Sequence, residues 1–206
     1  MPVDWRHRCA LAGLLACLAP AWATGTFDLP QLMQALGKLK SGEATFVERR
    51  HVAMLEQPLV YSGRLSFEAP DVFVRETLKP RQERIAVNGN TLTIQQGGST
   101  RTLALDSAPE AGVIVEAIRG TLTGNRGALE RNFKASLTGD AELWLLELVP
   151  RESRLRAQVL SVRVAGHQGV VREVLVSLPD GDRSVMSIEP MSTRATAIAR
   201  PANATP

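Results

Sequence analysis

The sequence predicts a mostly β domain, with an antiparallel sheet and helices on one side of it. Eleven short segments alternate apolar and polar residues, which is the period of a strand with one buried face. Turns that contain glycine, proline or aspartate separate most of these segments. Only two main helical segments interrupt them, and none has the strand–helix–strand spacing of a parallel sheet.

The first 23 residues have the pattern of a secretory signal. Basic residues precede an apolar stretch at 9–19, and the motif at 21–23 matches an A-x-A cleavage site. The apolar stretch is too short to span a bilayer. We therefore expect cleavage before Thr24 and export to the periplasm. The alternative is a lipoprotein signal, with residues 14–17 as the lipidation box.

Composition narrows the classes of function. Cys9 and Cys17 both lie in the predicted signal, so the mature domain has neither disulfides nor thiol chemistry. Without the signal the chain keeps 22 basic and 20 acidic residues, a net charge of +2. The basic residues are spread along the chain, which argues against nucleic-acid binding. Residues 24–190 are predicted to form one domain, and residues 191–206, rich in Ala, Thr and Pro, a disordered tail.

Two segments have the spacing of amphipathic helices. The first is predicted at 28–40, where Asp28 and Gln31 form a capping box. The second follows a capping box at 107–110 and is predicted to end at Gly120. Their apolar faces consist of Leu29, Leu32, Met33, Leu36 and Leu39 in the first helix, and of Val113, Ile114, Ala117 and Ile118 in the second.

The strands follow from the alternation and from the turns between them. The clearest one-sided strand starts at Leu59, where every second residue points to one face. Asn88-Gly89 predicts a type I′ hairpin turn. A short helical turn is predicted at 124–131. The predicted strands are 43–55, 59–68, 72–78, 82–87, 91–96, 100–105, 133–137, 142–149, 155–165, 170–178 and 183–189.

The mature chain contains no recognisable catalytic or metal-binding motif. Only His51 and His167 remain after cleavage, and two distant histidines without cysteine do not suggest a zinc site. Nucleophile-elbow, phosphate-loop and dinucleotide motifs are missing from the sequence. We therefore expect a protein that is not an enzyme and has neither cofactor nor metal. The apolar faces leave two interpretations open: an ordinary filled core, or a cavity that the helices close.

A resemblance to a known family covers residues 61–92, which read YSGRLSFEAPDVFVRETLKPRQERIAVNGNTL. This segment resembles the periplasmic lipoprotein carriers, LolA and its relatives. The positions that carry the resemblance are Gly63, Leu65, Phe67, Pro70, Phe73, Pro80, Ile85, Asn88, Gly89 and Leu92. It implies an unclosed antiparallel half-barrel with lid helices over a concave apolar face. It also implies a role in carrying acylated lipoproteins across the periplasm.

Two positions depart from the family pattern. The family has an arginine directly before the first proline of this segment, where it ties the lid to backbone carbonyls, and this chain has Ala69. The family's tryptophan two residues after the phenylalanine is here Arg75. The resemblance therefore implies a lid with fewer polar bonds, and a divergent branch that carries another lipid or acyl product.

The predicted site is an apolar cavity between sheet and helices. Its sheet side is predicted to consist of Phe46, Leu59, Tyr61, Leu65, Phe67, Phe73, Leu92 and Ile94. Its lid is predicted to consist of Val113, Ile114, Ala117 and Ile118, with Leu32, Leu36 and Leu39 from the first helix.

The resemblance also predicts partners. The cargo is expected to be an acylated lipoprotein or another lipid, passed from a membrane-bound donor protein to a membrane-bound acceptor protein by a monomer. One alternative is a lipid- or lipopeptide-sensing interaction module on the same scaffold. Another is an enzyme that shelters an apolar substrate, for which Arg75 or His51 would be needed for turnover.

Overall fold

Eleven antiparallel strands form one continuous sheet in the computed structural model, which describes residues 27–191. The strands are β1 (Ser41–His51), β2 (Leu59–Glu68), β3 (Val72–Lys79), β4 (Glu83–Asn88), β5 (Thr91–Gln96), β6 (Ser99–Ala104), β7 (Phe133–Gly139), β8 (Trp144–Pro150), β9 (Ser161–His167), β10 (Val170–Ser177) and β11 (Arg183–Pro190). The helices are α1 (Leu29–Leu36), α2 (Pro109–Leu122), α3 (Arg126–Asn132) and α4 (Ser153–Arg156). The predicted fold class is confirmed.

The strand order shows that the sheet is unclosed. It runs β6-β5-β4-β3-β2-β1-β11-β10-β9-β8-β7, so two meanders meet where β1 pairs with β11. The edge strands β6 and β7 follow one another along the chain but lie at opposite ends of the sheet. The segment between them contains α2 and α3. Helix α2 is therefore placed to span both meanders.

The two meanders pack against the helices to different extents. We call strands β7–β10 the packed half, because their inward side chains form the larger hydrophobic cluster with α1, α2 and α3. We call strands β2–β6 the open half, whose smaller cluster has only Val87, Leu92 and Leu105 fully buried. The larger cluster includes Leu32, Met33, Leu36, Val113, Ala117, Leu129, Phe133, Trp144, Leu146, Leu148, Val159, Val162, Val164, Val174 and Val176.

Directly paired residues share a face of the sheet, so the register assigns each side chain. Leu92 pairs with Val87, Val87 with Phe73, and Phe73 with Phe67. Because these residues or their neighbours pack against α2, we call their side of the sheet the covered face. The alternate residues, such as Val60, lie on the uncovered face.

The predicted capping box of the first helix is confirmed, and that of the second is wrong. Asp28 accepts a hydrogen bond from the Gln31 amide, and the Gln31 side chain accepts one from the Asp28 amide. Residues Leu105–Ser107 instead form a 3₁₀ turn, after which Ala108 begins α2 without a side-chain cap. Burial of Leu105 in the smaller cluster accompanies this tighter turn.

Both main helices end at different residues from those predicted. Helix α1 stops at Leu36, where Gly37 caps it, so Leu39 lies beyond the helix and is exposed. Helix α2 continues past Gly120 to Leu122. A Cβ at position 120 would lie 2.6 Å from a methyl carbon of Leu129, so this glycine permits close packing against α3 and does not end the helix.

The hairpin turn after β4 lies one residue later than predicted. Asn88 and Thr91 are paired, so the central residues are Gly89 and Asn90. Only Gly89 has a positive φ, +57°, which is the pattern of a type II′ turn and not of type I′. Gly97 and Gly98, between β5 and β6, both have positive φ, which matches type I′.

Two predicted strands differ most from the structure. Strand β1 stops at His51, where the Asp182 carboxylate accepts a hydrogen bond from the Ala53 amide at 3.0 Å. The prediction at 155–165 is wrong in its first part, because a helical turn, α4, precedes β9.

No helix among residues 27–191 has the length and apolar character needed to cross a bilayer. The predicted signal and residues 192–206 of the predicted tail lie outside the described residues.

Candidate functional site

All eight predicted lining residues lie on the covered face, on β1 and in the open half. The register places them in adjoining rows across β1, β2, β3 and β5. They differ in exposure, because α2 covers only part of this surface. Phe46, Phe67 and Leu92 are buried, Tyr61, Leu65, Phe73 and Ile94 are half-buried, and Leu59 is 41% exposed.

Aromatic rings and aliphatic side chains form the floor of this surface. The rings of Phe67 and Phe73 stack with centroids 5.1 Å apart. The next row contains Leu65, Ile85 and Ile94, all half-buried, with Arg75 between Leu65 and Ile85. The open half therefore has apolar area that the protein itself only partly covers.

A charged pair interrupts the apolar surface beside this floor. Arg75 of β3 forms an ion pair with Glu48 of β1, and their side chains are 26% and 9% exposed. The Ser184 hydroxyl donates a hydrogen bond to the other oxygen of Glu48. The guanidinium carbon of Arg75 lies 5.0 Å from the centroid of the Phe46 ring and 5.9 Å from that of Tyr61. Two aromatic faces and one carboxylate thus hold the cation.

Gly63 explains how the Phe46 ring can pack against the neighbouring strand. It pairs with Phe46 across β1 and β2. A Cβ at this position would lie 3.0 Å from the Phe46 ring and would collide with the backbone carbonyl of Glu76. The glycine that carries part of the family resemblance therefore allows the Phe46 ring to pack onto the strand.

The predicted lid residues mostly contact the packed half. Leu32, Leu36, Val113 and Ala117 are buried in the larger cluster, and Ile114 and Ile118 are half-buried against it. Leu39 is 41% exposed. These side chains anchor the two helices to β7–β10, whereas a different face of α2 meets the open half.

That other face of α2 was not identified from the sequence. Ala108 and the α2 residues Ala111 and Val115 pack against the smaller cluster. One turn further, Arg119 donates a hydrogen bond to the Gly89 carbonyl at 2.6 Å and pairs with Glu116. The i, i+4 spacing of Ala111 and Val115 is a helical signal that could have revealed this second apolar face.

Sequence reasoning also missed Glu48. Strand alternation places Glu48 on the same face as Phe46, which is a signal available from the sequence. A charged residue at an inward position is informative because burying an unpaired charge is costly. Ile85, Val87 and Leu103 are further members of the open-half surface that the prediction left out.

The two histidines are not brought together. His51 is the last residue of β1, and His167 at the end of β9 accepts a hydrogen bond from Arg172 at 3.0 Å. Among residues 27–191, no group of three or more His, Cys, Asp or Glu side chains is placed to hold a metal ion.

The described residues also form two surface clefts. One, of about 620 Å³, lies between α1 and the end of α2 and includes Met33, Gly37 and Thr123. The other, of about 510 Å³, lies at the ends of β3–β6 and includes Thr77, Glu83 and Gln96. None of the eight predicted lining residues lines either cleft. The predicted surface is thus separate from both clefts.

Comparison with known proteins identifies a family. A family model described as outer membrane lipoprotein carrier protein LolA-like matches residues 21–205. No curated protein matches the sequence.

Several solved structures are similar in fold, at low sequence identity. A LolA superfamily protein from Nitrosomonas europaea is 9% identical, with 77% of this chain and 90% of that chain covered and a TM-score of 0.44. A DUF1329 family protein from Desulfovibrio piger is 12% identical, with 79% and 89% covered and a TM-score of 0.47. Lipoprotein LppX from Mycobacterium tuberculosis is 9% identical, with 78% and 92% covered and a TM-score of 0.41. The family assignment rests on the sequence match.

Proposed function

The chain belongs to the outer membrane lipoprotein carrier LolA-like family, and on that premise we propose that it is a periplasmic carrier. Its cargo is a lipoprotein or another lipid, whose acyl chains it shields between the inner and the outer membrane. The predicted signal at 1–23 provides export. Membrane-bound proteins on either side donate and accept the cargo.

The free-energy cost of exposing an acyl chain to water determines how much apolar area such a carrier needs. Each CH₂ group exposed to water costs about 0.8 kcal/mol. A sixteen-carbon chain therefore represents on the order of 12 kcal/mol, which corresponds to roughly nanomolar affinity. A carrier must offer apolar area of this scale and must also release its cargo.

The unequal cover of the sheet is the observation that carries the proposal. In the packed half, covered-face residues such as Leu146 and Val162 are fully buried. In the open half, Leu65, Ile85 and Ile94 remain half-buried on the same face. An acyl chain lying on these residues would bury the apolar surface that the protein's own helices leave exposed to solvent.

Helix α2 is the element that would regulate access. Its contacts with the open half are small side chains, Ala108, Ala111 and Val115, together with the Arg119 bond to Gly89. Its contacts with the packed half are more extensive, with Val113 and Ala117 buried in the larger cluster and Ile114 and Ile118 half-buried against it. A shift of α2 away from β4 and β5 would expose the open half while the packed half keeps the fold intact.

Leu65→Arg tests this proposal. Arg75 in this row is already neutralised by Glu48, but a second cation at position 65 should abolish binding of acyl chains, because that arginine would have to be desolvated when a chain covers it. The matched control is Val60→Arg, since Val60 lies on the uncovered face of the same strand and is 50% exposed. The measurement is mass spectrometry of organic extracts from protein purified natively from the periplasm.

The expected result is lipid in wild type and Val60→Arg, and none in a folded Leu65→Arg protein. Lipid that still copurifies with folded Leu65→Arg would remove the open half as the binding surface. Transfer between donor and acceptor vesicles is the second measurement. Binding without transfer, with a stable partner recovered by crosslinking, would instead indicate a sensing module.

A further inference from the structure

Two polar atoms on the covered face of β3 have no hydrogen-bond partner among the described residues. They are the hydroxyl oxygen of Thr77 and Nε of Arg75. Thr77 is only 4% exposed, so water has little access to its side chain. Buried donors and acceptors are nearly always paired, and an unpaired one is a candidate contact for something bound.

Their position on the strand brings these two residues to the same face as neighbours. Arg75 and Thr77 are two residues apart on β3, so both side chains lie on the covered face. Arg75 is paired with Leu65 and Ile85, whereas Thr77 is paired with Gly63 and Glu83. The two residues therefore mark the boundary at which the apolar rows end and a polar row begins.

The charge balance selects the kind of group that could bind there. Glu48 already occupies the Nη2 side of Arg75, and the ion pair is neutral as a whole. An anionic group would meet the carboxylate of Glu48 as well as the guanidinium. A neutral acceptor such as a carbonyl oxygen meets the Nε–H donor without that repulsion.

We propose that Arg75 Nε and the Thr77 hydroxyl form a subsite for the ester or amide carbonyl of an acylated ligand. This inference rests on the proposed carrier function and names the chemical group of the cargo that the protein recognises. The hydrocarbon chain would lie along Phe73, Ile85 and Ile94. The part beyond the carbonyl would extend toward the cleft at the ends of β3–β6, which Thr77 also lines.

A matched pair of lipids tests the subsite. 1-Monopalmitoylglycerol and 1-O-hexadecylglycerol carry the same number of chain carbons and the same head group, but only the first has a carbonyl. Each is used to displace a fluorescent fatty-acyl probe from the purified mature protein. One hydrogen bond from a charged donor should favour the ester by about tenfold.

Two variants remove the proposed donors separately. Arg75→Lys keeps a cation opposite Glu48 but removes Nε, and Thr77→Val keeps the shape of the side chain without its hydroxyl. Each should lower the preference for the ester toward one and leave the affinity for the ether unchanged. The controls are Arg163→Lys, which alters an Arg–Glu pair on the uncovered face, and Thr93→Val, also on that face. Both controls should keep the tenfold preference.

The outcomes separate this inference from the carrier function. Equal binding of ester and ether by wild type, or an unchanged preference in Thr77→Val and in folded Arg75→Lys, would overturn the subsite and leave the carrier intact. Tighter binding of free palmitate than of the neutral ester would overturn the choice of a neutral carbonyl. If the purified protein binds neither the fluorescent fatty-acyl probe nor either glycerol lipid, the carrier function itself is contradicted, and the subsite with it.

Discussion

The packed half and the open half are built from strands with the same alternation, yet they use their covered faces differently. Each meander contains an aromatic ring packed onto a glycine of the neighbouring strand: Trp144 on Gly166 in one, Phe46 on Gly63 in the other. Both rings are buried. Trp144 is covered within the larger hydrophobic cluster, and its Nε1 donates to the Gln168 carbonyl, whereas Phe46 of β1 lies beneath the guanidinium of Arg75 from the open half.

This difference shows that strands with apolar side chains on one face do not form a hydrophobic core by that pattern alone. A face becomes core only where another element covers it, and α1, α2 and α3 together cover β7–β10. The open half receives one face of α2 and no contribution from α1 to its cluster. The same pattern of residues therefore forms a filled core on one side and leaves apolar side chains half-buried on the other.

The largest expected effect comes from truncating one leucine in each half. Leu146→Ala should lower the free energy of unfolding by about 4 kcal/mol, because the side chain is 0% exposed and leaves a cavity. Leu65→Ala should lower it by about 1 kcal/mol, since Leu65 is only half-buried. Denaturant titration of both variants measures this contrast. Equal losses would mean that the two halves are not distinguished by packing.

The second effect concerns the ion pair of the open half. Arg75→Met should cost about 3 kcal/mol, because it leaves the Glu48 carboxylate buried without its partner. Adding Glu48→Gln should restore most of this loss, since the buried charge is then gone. Arg163→Met is the control, because its pair with Glu147 is more exposed and should be worth about 0.5 kcal/mol. A double variant as unstable as Arg75→Met would exclude this explanation.

The smallest effect concerns the attachment of α2 to the open half. Arg119→Met removes the hydrogen bond to the Gly89 carbonyl and should cost about 1 kcal/mol. Hydrogen exchange should become faster in the β4–β5 hairpin and not in β8 or β9. Arg126→Met, which breaks an exposed pair with Glu130 on α3, should leave exchange in that hairpin unchanged. Unaltered exchange in Arg119→Met would show that this bond does not hold the helix.

Much of the candidate site can be predicted from the sequence, because strand alternation determines on which face of the sheet each residue lies. Tyr61, Leu65 and Phe67 were assigned to one face by alternation, and the register confirms that placement. The role of α2 is harder to predict from the sequence, because this one helix presents different residues to two surfaces. Val113 and Ala117 face the packed half, whereas Ala111 and Val115 face the open half. A single helical stripe read from the sequence cannot show this division.

The sequence by itself determined the number of strands, the face of each strand residue and the first helix cap, because these depend on neighbours along the chain. The tertiary structure decided which half of the sheet is covered. It also decided that Arg75 reaches across β2 to Glu48 on β1. Both features depend on residues far apart in sequence, whose meeting is fixed by strand order and by where α2 crosses the sheet.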